Sequence, residues 1–141
     1  DEFNRQYPYV STLVASQAID LGENLATYGL RIGKKKILIP AAVQSLAAGN
    51  TVIASPHVRV IGAGGAVTLT STPTIADGTE GEIIVIRGTS DANTITFQDD
   101  GTLPNSNLRL QAATRTLGNG DTLQLLFDGI DWSELQFSNV I

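Results

Sequence analysis

The sequence predicts an all-β fold: a small antiparallel β-sandwich of jelly-roll type, preceded by an extended N-terminal arm. Three observations lead there. Residues 83–86 read Ile-Ile-Val-Ile, held between turns at Asp77-Gly78 and Gly88. An unbroken branched apolar run between turns is the mark of a strand buried on both faces, and branched side chains prefer strand to helix. From His57 onward short alternating segments recur, separated by Asp77-Gly78, Asp100-Gly101, Asn119-Gly120 and Asp128-Gly129. That spacing belongs to a sandwich or barrel. No helical period lies between the segments, which excludes a parallel α/β fold.

In chain order, residues 1–30 show neither a sustained helical nor an alternating period. Pro8 and glycines at 22, 29 and 33 argue against one long helix. All three tyrosines, Tyr7, Tyr9 and Tyr28, fall here, and such amphipathic rings suit a contact surface as well as a core. Next comes Lys34-Lys35-Lys36, the only lysines, beside an apolar strand over 37–39 that Pro40 is expected to stop. The cluster can bind an acidic surface, or it can guard a sheet edge against unwanted pairing. Residues 41–48 fit two helical turns closed by Gly49-Asn50, or alternatively strand and turn, and 51–54 fit a short strand ending before Pro56. Strands then follow at 58–61, 66–70, 74–75, 83–86, 94–97, 108–110, 123–127 and 132–137. The last two form a hairpin around the four-residue loop 128–131, with Trp132 beginning the final strand. The chain thus divides into 1–57, an arm with the first strands, and 58–141, a sandwich head.

At 141 residues the chain can bury a core as one domain. It has no cysteine, which excludes disulfides, zinc fingers and thiol nucleophiles, and no methionine, so its start is processed or trimmed. The opening residues lack the basic and apolar parts of a signal peptide, and no run is long enough to span a membrane. Net charge is -5, unevenly spread. Residues 1–76 hold six basic and four acidic side chains, whereas 77–141 hold three and ten. An acidic half repels phosphate backbones and anionic membranes, so neither nucleic acid nor membrane is an expected partner.

Nothing assembles an enzyme. His57 is the single histidine, and no Gly-x-Ser-x-Gly elbow presents a serine to it. The carboxylate pairs Glu80/Glu82 and Asp99/Asp100 lie in or beside turns, where acids are expected without any glycosidase role. Gly62-Ala63-Gly64-Gly65 lacks the Lys-Ser/Thr pair and following helix of a phosphate loop. Asp91, Asn93, Asp99 and Asp100 leave calcium open but do not form a twelve-residue calcium loop. No cofactor is implied. Trp132 can stack on a sugar or cap the end of the sandwich. The candidate partner-binding residues are therefore Tyr7, Tyr9, Lys34, Lys35, Lys36 and Trp132.

The series Val67-Thr68-Leu69-Thr70, then residues 75–86, Thr94-Ile95-Thr96-Phe97-Gln98-Asp99, Asn107-Leu108-Arg109-Leu110, residues 121–129 and Trp132-Ser133-Glu134-Leu135 resembles a small β module of bacteriophage virion proteins. That module ends tail fibres and occurs on other exposed structural components. The resemblance covers roughly the last 75 residues and brings no catalytic residues. It implies a structural protein of the virion surface, commonly a homotrimer, bound to the major capsid protein or another virion protein. The brevity of the chain favours a capsid-decorating or cementing protein over the tip of a tail fibre. A carbohydrate-binding module, with Trp132 in its site, is the alternative of another class.

Overall fold

The computed structural model describes residues 40–140. Within them lie nine strands and no helix: β1 (Pro40–Leu46), β2 (His57–Gly62), β3 (Val67–Thr68), β4 (Ile83–Gly88), β5 (Ile95–Gln98), β6 (Leu108–Arg109), β7 (Thr114–Leu117), β8 (Thr122–Phe127) and β9 (Trp132–Ser138). They make a six-stranded sheet in the order β1-β2-β4-β8-β9-β6 and a three-stranded sheet β3-β5-β7. The expected all-β, two-sheet architecture is what forms.

β4 is central because its side chains alternate in step with both neighbours. Ile84 and Ile86 are buried, and so are Leu125 and Leu123 opposite them on β8 and Val58 opposite Ile86 on β2. With Val60, Phe127 and Trp132 they join Ile95, Phe97 and Leu117 of the smaller sheet and Leu69 just after β3 in one apolar core. A period of two places every second residue on one face, so a register slip of one would turn this whole set outward. Burial of each large apolar side chain contributes about 1.5–3 kcal/mol, so that slip is strongly disfavoured.

The run at 83–86 is a strand, but it is buried on one face only. Ile83 is 42% exposed and Val85 is half-buried. Four consecutive apolar residues satisfy the inner face twice and leave two branched side chains on the outer one.

Pairing is mixed rather than antiparallel throughout. β1 runs parallel to β2, β2 to β4, β3 to β5 and β6 to β9, while β4-β8, β5-β7 and β8-β9 are antiparallel. Parallel neighbours need a crossover. Here the opposite sheet supplies it: the chain passes through β2 then β3, and again through β4 then β5. His57 stands opposite Val85 and Val67 opposite Ile95, the same offset of 28 positions in both sheets. The corner after β2 closes tightly at Gly62, where a Cβ would collide with the carbonyl oxygen of Gly65 and stand 3.1 Å from that of Thr94. No side chain fits there.

Two further expectations resolve. Residues 41–48 take the strand-and-turn alternative rather than the helical one, with β1 over Pro40–Leu46, while the strand expected over 37–39 lies outside the described residues. Leu46 reaches the core only in that extended form, so pairing with β2 overrides the alanine-rich helical tendency. Residues 51–54 contribute a single bridge, Val52 with Ile75. β1, in the segment expected to carry the first strands, pairs with β2 of the sandwich.

The core assignment makes a direct comparison possible. Ile86→Ala should lower unfolding stability by about 2–5 kcal/mol. Ile130→Ala, at a side chain 78% exposed, should change it by no more than about 0.5 kcal/mol in the same urea titration.

Candidate functional site

The residues that carry the sequence series converge on one buried joint. Asn107, held at φ 57, donates from Nδ2 to the carbonyl of Ile75 at 2.7 Å and accepts the Ile75 N–H on Oδ1 at 3.3 Å. Its amide also donates to Asp77 Oδ1 at 3.3 Å, and its own carbonyl accepts the N–H of Trp132 at 2.8 Å. Asparagine is among the few side chains that tolerate the left-handed conformation and still present both amide groups to a backbone. Segment 75–77 is thereby fastened to the start of β9 without a strand pairing between them.

Trp132 is the second half of the joint. It is fully buried, with its indole N–H donating to the Ala76 carbonyl at 3.2 Å and its ring tilted at 48° to Phe127, centroids 4.9 Å apart. Gly78 makes room for it: a Cβ there would stand 2.8 Å from Cζ2 of Trp132. The pair Asp77-Gly78 is therefore a lid on the indole as much as a turn. Glu82 completes that turn by accepting the N–H of Thr79 at 2.9 Å.

A second joint links the sheets. Arg115 on β7 donates from Nη2 to Oε1 of Glu134 on β9 at 2.7 Å and from Nε to Oε2 at 3.1 Å, and its guanidinium lies 4.7 Å above the ring of Phe137. The Glu134 side chain is 2% exposed, and its Oε2 also accepts the N–H of Gln111 at 2.9 Å. A charge so deeply buried is tolerated only with such bidentate pairing and added donors. β7 itself was absent from the sequence reading: Thr-Arg-Thr-Leu offers one apolar residue in four, and Arg115 points inward to an acid rather than to solvent.

Several other carboxylates serve turns. Asp99 accepts the N–H groups of Gly101 and Leu110, each at 2.8 Å, while Asp100 accepts that of Asn105 at 2.7 Å and faces Arg109 at 3.5 Å. Asp91 accepts the Asn119 N–H at 2.7 Å. Among the described residues no three His, Cys, Asp or Glu side chains gather as a metal site. Asp128 accepts the N–H of Asp131 at 2.8 Å and of Ile130 at 2.9 Å, and these bonds, Asp131's first, hold its carboxyl below the ordinary carboxylate range. Every buried side-chain nitrogen and oxygen among the described residues has a partner.

Of the candidate binding residues, Trp132 is not available. A fully buried indole presents no face to a sugar, so the stacking role is replaced by an interior one that fits the capping alternative. Tyr7, Tyr9, Lys34, Lys35 and Lys36 lie outside the described residues. His57 is half-buried at the start of β2.

No family model matches the chain, and no curated protein does. Among solved structures, one described as that of a chaperone-substrate complex superposes at a TM-score of 0.40 with 21% identity. It covers 68% of this chain and 17% of that one, a likeness too slight to carry an argument.

Two measurements test the first joint and the final hairpin loop. Gly78→Ala should cost about 1–3 kcal/mol through overpacking against the indole, and it should shift the emission of the sole tryptophan. Asp128 contributes its stabilisation above the ordinary carboxylate pKa of 3.8, and that contribution is lost as pH falls through the lowered folded value. Wild type should therefore melt above Asp128→Asn at neutral pH, and the gap should close as the pH drops below 3.8.

Proposed function

We propose that this chain is a structural protein of a bacteriophage virion, a capsid-decorating protein that works as a homotrimer on the particle surface and is not an enzyme. What supports the reading is that each landmark of the resembling series serves the frame. Asp77-Gly78, Asn107 and Trp132 make one joint, Glu134 makes the other, and Asp128-Gly129 shapes the final hairpin. Polar and aromatic residues spent on bracing sheets suit a part whose task is to hold a shape and bind neighbours.

The partner would be the major capsid protein or another virion protein. Residues 40–140 hold ten carboxylates against four arginines, a balance that disfavours nucleic acid and anionic membranes as partners.

Mixed with empty capsid shells, the protein should co-sediment with them and raise their melting temperature. Failure to co-sediment would remove the decorating role. Adsorption to host cells with block of infection would point instead to the tip of a tail fibre.

A further inference from the structure

We propose that the outer face of the six-stranded sheet is where copies of this chain bind one another, each laying that face on the acidic flank of the next. The proposal rests on the homotrimeric reading above and deepens it by assigning the contact surface.

Among the described residues this face stands apart. Its apolar members are Val43, Ile61, Ile83, Val85 and Leu126, set on neighbouring strands by the register, with Val43 opposite Arg59 and Ile83 opposite Leu126. Val43 and Ile83 are each 42% exposed. Among the described residues the charged side chains on it are Arg59 and Arg87, which stand opposite each other across β2 and β4. No Asp or Glu occupies an outward position on β1, β2, β4, β8 or β9, because Glu134 points inward to Arg115. All ten carboxylates of residues 40–140 thus lie elsewhere, shared there by two arginines, Arg109 and Arg115, both ion-paired.

Arg59 and Arg87 put two positive charges on a face that holds no carboxylate, so an arriving acid would meet uncompensated charge there. Arg59 is already aimed: its Nε and Nη2 donate to the Ala41 carbonyl at 3.1 and 2.9 Å, fixing the guanidinium across the sheet. Apolar residues beside arginine, with acids excluded, match the charge-depleted, arginine-enriched composition of an interface centre. The complementary surface exists on the same chain at the end of β4 where the strand begins: Glu80 and Asp128 are both exposed there, and a Cβ at Gly129 would stand 3.8 Å from the Glu80 side chain. Two copies placed face to face would set arginine against arginine. The contact is therefore heterologous, face to flank, and such contacts close as rings, three copies being one solution.

The chain has no cysteine, so a single introduced thiol reports on one spot of the full-length protein. In Ile83→Cys, maleimide labelling should slow by about tenfold or more between dilute and concentrated protein, as mass action requires. In Ile130→Cys it should stay constant. Arg87→Glu should return the protein to the monomer mass in light scattering while its far-UV dichroism is retained. A labelling rate at Ile83→Cys that does not depend on concentration overturns the proposal, whether the site is always open or always covered by its own chain. An assembly that Arg87→Glu leaves intact overturns this face but keeps the homotrimer. A wild type that is monomeric at every concentration overturns both, and leaves shell binding to be judged by co-sedimentation alone.

Discussion

The fold depends on β4 serving two kinds of neighbour at once. On one side it pairs with β2 in parallel and on the other with β8 in antiparallel fashion, and both pairings must present Ile84 and Ile86 to the same interior. On the parallel side the chain is wound from β2 through β3 of the smaller sheet to β4. On the antiparallel side β8 returns beside β4 after β5, β6 and β7 and closes on the β8-β9 hairpin. Only a strand whose inward residues match both registers can stand at that change of direction, and the branched pair at 84 and 86 does so.

What was legible in the sequence follows from that division. The run at 83–86 and the hairpin around 128–131 were visible because their apolar period and turn residues are local. The parallel partners were not. Which strands lie side by side in a wound path depends on how far the chain travels through the opposite sheet, and no local pattern records it. β1 was hidden by alanines that suit a helix, and β7 by an inward arginine. Asn107 carried too weak a signal: a single asparagine before an apolar pair marks a turn in most contexts, and its grip on Ile75 depends on a segment 32 positions away.

The two polar joints do different work. Asn107 and Trp132 tie a loop to the start of a strand through neutral hydrogen bonds, each contributing modestly but costly to leave unmade in a dry interior. Arg115 and Glu134 bind one sheet to the other through a charge pair whose value lies less in net stability than in fixing a single arrangement, since removing either partner would strand the other. Trp132 also explains why the turn Asp77-Gly78 is built as it is: the glycine is set by the indole beneath it.

The common offset of 28 positions from β2 to β4 and from β3 to β5 has a bearing on how such a chain can change in length. Insertion or loss within a pass would throw one sheet out of phase with the other. A whole circuit, by contrast, can be added or deleted without altering the alignment of what remains, so relatives of this architecture should vary in size by complete circuits and by the loops at their corners.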